Sequence, residues 1–323
     1  MVVLLGVLSV FFITLSSVSA GLLEGYFYTG EEPGAAAHAR GLTYLAHPAG
    51  GYAPFWNPAS LAREKRQFLA FSSNVVDIDS ENLPDSLDAF RNGRLNYLAL
   101  VGPEVGLYWR NLSSFKDVED ENQDNYRDVR MNLMGVAIGI DHAQNIDFGM
   151  NINFLHGTVG FVKKDGAELL AEVPYGYGWS LDWGLIYHIF DNFKAGVSLK
   201  NAPGAMYWDK GFGRDRLPVS FRGGINISMS NLMSFGVEYE KWFSDGSIKP
   251  GESAHLGVEH FLSKQLVLRA GIYGKNLSKE AEAVYTAGLG YSLDSFSMDI
   301  AVRQYGSDLK AGRRFSISAE IPL

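Results

Sequence analysis

The stretch VSFRGGINISM, residues 219–229, decides the fold. Val219, Phe221, Ile225, Ile227 and Met229 alternate with Ser220, Arg222, Gly224, Asn226 and Ser228. Successive side chains of an extended chain leave opposite faces, so this stretch sends apolar groups one way and small, polar or charged groups the other. Three further runs repeat the pattern. Phe296, Met298, Ile300 and Val302 oppose Ser295, Ser297, Asp299, Ala301 and Arg303; Leu266, Leu268, Ala270 and Ile272 oppose Gln265, Val267, Arg269 and Gly271; Phe315, Ile317, Ala319 and Ile321 oppose Arg314, Ser316, Ser318 and Glu320.

A soluble sandwich alternates in the same way, so strand length and connection have to choose the solvent. Reading outward from residue 219 gives segments at 67–77, 94–101, 104–113, 129–141, 145–156, 177–190, 193–201, 217–229, 233–242, 254–262, 265–273, 283–292, 295–305 and 312–322, fourteen in all. Most approach the roughly 9 to 11 residues that a tilted strand needs to cross a bilayer. Their connections alternate between long (VDIDSENLPDSLDAFRN, KDVEDENQDNYRD, APGAMYWDKGFGRDR) and short (GP at 102, DN at 191, SK at 263). Outer-membrane barrels have short periplasmic turns and long outer loops, and a sandwich has no reason to alternate loop lengths. The expected fold is all-β, a 14-stranded antiparallel transmembrane β-barrel over 65–323, with both termini periplasmic. Tyr108, Trp109, Tyr177, Trp179, Trp242, Tyr273 and Tyr305 fall near strand ends, where an aromatic girdle would lie.

The chain has 323 residues, of which 36 are glycine, 20 phenylalanine and 16 tyrosine, a composition suited to strands joined by turns. A net charge of −8 argues against a nucleic-acid partner. With no cysteine there is neither a disulfide framework nor a thiolate metal site. Residues 1–15, MVVLLGVLSVFFITL, are uncharged and apolar, and SSVSA follows with Val18 and Ala20 at signal-peptidase positions. Residues 1–20 read as a cleaved secretory signal that lacks the usual positive start; a core helix or a single anchor is the other reading of that run.

Residues 21–64 precede the first strand and hold GAAAHARGLTYLAHPAGGYAPFWNPASLA. Fourteen strands enclose more space than their own side chains fill, and a compact Gly/Ala/Pro-rich segment is suited to plug it. This stretch, with Gly34, Arg40, Gly41 and the motif Trp56, Asn57, Pro58, Ala59 ahead of Leu61, resembles the hatch of the FadL-like outer-membrane transporters. Together with LKNAP, LPVSFRGGI, GVEH, LRAGIY, YTAGLGY and FSISAEI it is most similar to the PorV/PorQ branch. The resemblance implies a 14-stranded barrel with a periplasmic hatch segment inside the lumen. It also implies one of two functions: passive transport of a hydrophobic or small solute, or an accessory role in type IX protein secretion with secreted-protein cargo. The loops are shorter than the extracellular hairpin that gathers fatty acids in FadL-type members, and a soluble secreted β protein is the remaining alternative. Asn57 itself reads as a turn residue, extended ahead of Pro58 and able to bond nearby backbone.

No catalytic, cofactor or metal site is expected. The string His255 to His260, HLGVEH, has the wrong spacing for a zinc-protease motif and lies on a strand. GFGRDR at 211 lacks the third glycine of a dinucleotide loop. The expected lumen-facing charged set is Glu104, Arg110, Asp147, Asp182, Arg222, Glu238, Glu259, Arg269, Asp299, Arg303 and Glu320. Carrying both signs, it reads first as cross-links within the wall and to the plug, because buried charges need partners before ligands. Outer-membrane lipid is the expected surroundings.

Overall fold

The computed structural model describes residues 32–48, 50–78, 94–118, 125–165, 168–229, 232–243, 251–277, 282–306 and 313–323. The expected signal, residues 1–20, and the first part of the expected hatch, residues 21–31, lie outside them. Seventeen strands form one sheet: β1 Phe68–Ile78, β2 Arg94–Val101, β3 Val105–Val118, β4 Asn125–Ala143, β5 Ile146–Asp165, β6 Glu168–Glu172, β7 Tyr175–Phe190, β8 Phe193–Lys200, β9 Gly204–Trp208, β10 Arg214–Arg216, β11 Ser220–Met229, β12 Met233–Trp242, β13 Gly251–Phe261, β14 Leu266–Gly274, β15 Ala283–Ser292, β16 Ser297–Tyr305 and β17 Arg313–Pro322.

Fourteen of them make an antiparallel wall that closes on itself where β1 pairs with β17, from Phe68 opposite Pro322 to Ile78 opposite Arg313. The other three are outworks. β6 pairs with the outer end of β5. β9 continues β8 beyond Asn201–Pro203, pairs with β7 from Gly176 to Ser180, and turns back as β10.

Alternation sets the two faces. Ser234, Glu238 and Glu240 of β12 are buried inside, while Phe235, Val237 and Tyr239 stand on the outside. Register joins such outward groups into belts: Leu268, Leu289, Ile300 and Ile317 lie opposite one another across β14 to β17. A two-layer soluble protein would bury these side chains against a second sheet; here they coat the exterior of a closed wall. On β7 the outward aromatics mark two levels, Tyr187 near the short-turn end and Tyr177 toward the other. Ten residues of strand tilted as in a barrel rise roughly 25 Å, the height of an outer-membrane apolar band.

The N-terminal segment contributes two short helices, α1 Ala35–Ala39 and α2 Ala53–Trp56, and 3-10 turns at Gly50–Tyr52 and Pro58–Arg63. Its alanines favour helix, and Pro54 starts α2 where a missing N–H costs nothing. Asn57 ends α2 in extended geometry at φ −160°, as the residue before a proline should.

Candidate functional site: the filled interior and the thin wall at Tyr108

Residues 32–48 and 50–63 are packed against inward-facing residues of strands around the closed sheet, and Trp56, Asn57 and Leu61 are wholly buried. The wall admits the segment through two rows of glycine aligned across strands, Gly139–Gly149–Gly184 and Gly236–Gly257–Gly271. A Cβ at any of the six would lie within 3 Å of the segment: Ala62, Ala59 and Asn57 on the first row, Thr43, Arg40 and Gly41 on the second. Close backbone approach is the physical reason for glycine here.

Irregular backbone buried away from water needs partners, and wall side chains supply them. Glu238 Oε1 accepts from the Leu45 amide (2.6 Å), Glu320 Oε1 from Gly51 (2.8 Å), Ser318 Oγ from Ala35 (3.0 Å) and Thr286 Oγ1 from Gly41 (3.0 Å). Tyr97 donates to the Gly51 carbonyl (2.8 Å) and Asn151 Nδ2 to that of Pro54 (2.8 Å). Asn57 works in the other direction. Its Nδ2 donates to carbonyls of Leu45 (3.2 Å), Leu185 (3.1 Å) and Val197 (3.4 Å), and its Oδ1 accepts from the Ala59 amide (3.2 Å), tying α2 to β7, β8 and the following turn.

Most of the expected charged set faces this interior. Arg222 lies 2.6 Å from Glu240, 3.2 Å from Glu32 and 3.9 Å from Glu238, with its guanidinium over the Trp56 ring. Arg269 joins Glu259 and Asp299 at 2.5 Å each. Asp147 holds Arg63 at 2.8 Å and His188 at 2.6 Å near the short-turn end. Asp182 accepts from Asn151, Asn153 and the Asn201 amide. Arg110 and Arg303 are buried inside as well. Glu104 is a correction: β3 starts at Val105, and Glu104 sits exposed in the preceding turn at φ +64°. Its backbone donates to the Leu61 carbonyl and accepts from Gly139.

Sequence reading missed the partners contributed by the N-terminal segment, Glu32 and Arg40, and also Lys200 and Glu240. Arg40 donates to Asn226 Oδ1 (2.5 Å) and Ser234 Oγ (2.8 Å). Lys200 Nζ lies 3.4 Å from the Phe55 ring centroid, and the Arg110 guanidinium lies 4.5 Å from it. Burial, and then the Lys194 ammonium 3.4 Å away, pushes the His47 imidazole down to a pKa of about 4. Among the described residues no three His, Cys, Asp or Glu converge on one point.

Three of the expected girdle aromatics also point inward. Tyr108 is buried, Trp242 lines an interior pocket, and Tyr273 stacks on the buried His255 at 5.6 Å. Tyr177 and Trp179 stand outside as expected.

Tyr108 occupies a distinctive position. An interior pocket of about 130 Å³ is lined by Phe55, Tyr108, Arg110, Asp182, Lys200 and Glu240. On the outer face an apolar depression of about 390 Å³ is lined by Leu98, Leu100, Leu107, Met134, Phe154 and again Tyr108. The ring lies across Gly135, where a Cβ would collide with it. The seam beside it is weakened. β2 and β3 stay in register only from Tyr97/Arg110 to Val101/Gly106, and each bulges there, β2 at Asn96 and β3 at Leu112. Bulges bend a strand and interrupt pairing.

A closed 14-stranded wall with an apolar exterior and a polar, occupied interior defines the class of outer-membrane β-barrels. No family model and no curated protein matches the chain. Solved structures do match. The monoaromatic hydrocarbon channel CymD superposes with a TM-score of 0.66 at 12% identity, covering 94% of this chain and 99% of that one. The Ralstonia pickettii toluene transporter TbuX gives 0.64 at 13%, with the same coverage. A Pseudomonas aeruginosa FadL homologue gives 0.60 at 11%, covering 92% and 99%. At these identities the likeness is one of fold, and it extends over nearly the full length of each chain.

Proposed function

We propose that the chain is a passive, non-enzymatic conduit for a small hydrophobic solute across the bacterial outer membrane, with residues 21–64 as its hatch. The observation that carries this reading is that one residue, Tyr108, belongs to the lining of both the interior pocket and the apolar depression outside. The N-terminal segment is tied to β7, β8, β12, β15 and β17, so a vertical path would break many hydrogen bonds at once. A sideways path past Tyr108 requires its ring to move and the five-pair seam between β2 and β3 to part, fewer contacts than the plug makes around the barrel. The solute class follows from the depression, whose lining is almost wholly apolar, and agrees with neighbours named for monoaromatic hydrocarbons and toluene. Short turns and the Leu323 amide bonded to the Gln67 carbonyl lie at one end of the barrel, which this reading places in the periplasm.

The PorV/PorQ resemblance keeps a type IX accessory role as a second reading, but an open, wettable lumen would suit it better than the filled one. Diffraction from crystals soaked in 4-bromotoluene tests the transport reading. Anomalous density is expected in one or both hollows flanking Tyr108; bromine found only at scattered exterior sites would count against it.

A further inference from the structure

Above the apolar belt, β5, β7, β9 and β10 carry an outward row in register: His156 opposite Tyr177, Tyr177 opposite Tyr207, Tyr207 opposite Arg214. Tyr177 is 64% exposed and Tyr207 48%, and Arg214 is exposed with no ion-pair partner among the described residues. One step further out, Arg130 of β4 shares a row with Thr158 and Tyr175. One step inward lie Phe154 and Trp179, both exposed and apolar. Across β5, β7, β9 and β10 the outward groups therefore pass from apolar Phe154 and Trp179 to a row that holds Tyr177, Tyr207 and the guanidinium of Arg214. Of the nearby acids, Asp128 holds Arg130 at 3.2 Å, Asp209 accepts from the Tyr175 amide at 2.8 Å and Asp215 from Trp208 Nε1 at 2.7 Å. On a chain of net charge −8, an exposed arginine with no ion pair among the described residues is a local site of positive charge.

We propose that this face seats a phosphorylated glycolipid of the outer leaflet, with sugar rings on Tyr177 and Tyr207 and a phosphate on Arg214. Flat, tilted phenol rings offer their faces to the C–H edges of a sugar, and a planar guanidinium pairs phosphate through two parallel N–H groups. Continuity with the belt below lets the acyl chains lie on Phe154 and Trp179 while the headgroup reaches the row above. A zwitterionic phospholipid has no sugar for the rings, and phosphatidylglycerol has only one phosphate and no ring. The inference rests on the outer-membrane reading but not on any transported solute.

The full chain, folded in phosphatidylcholine nanodiscs, is exposed to equal amounts of bis-phosphorylated lipid A and phosphatidylglycerol, and the lipids retained are read by native mass spectrometry. Lipid A should be retained at least tenfold over phosphatidylglycerol. That preference should vanish in R214Q and in the double variant Y177A/Y207A, should weaken when dephosphorylated lipid A is used, and should persist in Y285A, an outward aromatic of the opposite wall. Equal retention of the two lipids, or a preference that R214Q and Y177A/Y207A leave intact, overturns the proposal. Failure to fold in any lipid would strike the outer-membrane reading instead, which keeps the two separable.

Discussion

The phenol of Tyr108 donates to Oδ1 of Asn153 at 2.6 Å. Asn153 in turn donates through Nδ2 to Asp182 Oδ2 at 2.9 Å and Ser180 Oγ at 3.1 Å, so the ring between the two hollows is held by a chain of polar groups on β5 and β7. A side chain positioned in this way can swing only by giving up a defined bond.

Replacing that side chain separates its two roles. Y108F keeps the ring and leaves Asn153 short of one partner, which should lower stability by about 1 to 2 kcal/mol with little change in solute flux. Y108A removes the ring that backs this stretch of wall, and hydrophobic-solute uptake should rise several-fold. Equal uptake by Y108A and the parent chain would place the path elsewhere.

Asn57 joins the N-terminal segment to itself at Leu45 and Ala59 and to the wall at Leu185 and Val197. N57A removes three donated bonds and one accepted one from a wholly buried site, and should cost roughly 2 to 4 kcal/mol. If the segment is released, single-channel recordings in planar bilayers should show ion leakage that the parent lacks. A silent N57A channel with unchanged thermal stability contradicts the assigned role.

The glycine rows make a steric prediction with an internal control. G149L and G257L drive side chains into Ala59 and Arg40 and should displace the segment, raising leakage. Gly251 faces only the distant edge of Trp242, so G251A should behave as the parent does.

The outer belt makes an energetic one. V237R places a charge at the middle of β12 on the exposed apolar face and should cost about 2 to 4 kcal/mol in bilayer refolding. A cost near zero would mean that this face meets water.

Acid should loosen the segment through His47. Its folded pKa, about 4, lies below the unfolded value near 6.5, so burying it neutral is fully tolerated above pH 6.5 and its penalty grows as pH falls toward 4. H47Q should therefore lose less stability than the parent between pH 6.5 and 4, measured by thermal unfolding at each pH. Parallel pH curves for the two would remove His47 from the account.

Much of the wall was legible in advance because alternation and bilayer length act on each strand independently. β2, β12 and β15 match the expected bounds, and the other wall strands begin and end near theirs, except that β3, β4 and β5 run further outward. That extension was hidden in KDVEDENQDNYRD, whose charges read as loop although part of it pairs between β3 and β4. The β9–β10 hairpin was hidden for a similar reason, lying beyond the break at Asn201–Pro203. The aromatic misplacements were avoidable. Tyr108 has the same parity as Arg110, Trp242 as Glu238 and Tyr273 as Arg269, so phase along the strand pointed inward while residue type suggested the rim. Glu104 failed for the opposite reason: its parity is right but it precedes the strand. Pairings such as Arg40 with Asn226 join residues far apart in sequence, and no local pattern encodes them.

The central claim is that an apolar solute crosses through a barrel whose axis is stoppered. The most direct test compares cells with and without the chain in an otherwise intact outer membrane, following entry of labelled toluene and of a hydrophilic solute of equal size. Toluene entry should be several-fold faster with the protein present and entry of the hydrophilic solute unchanged. Accelerated entry of the hydrophilic solute, or no acceleration of toluene, would contradict the claim.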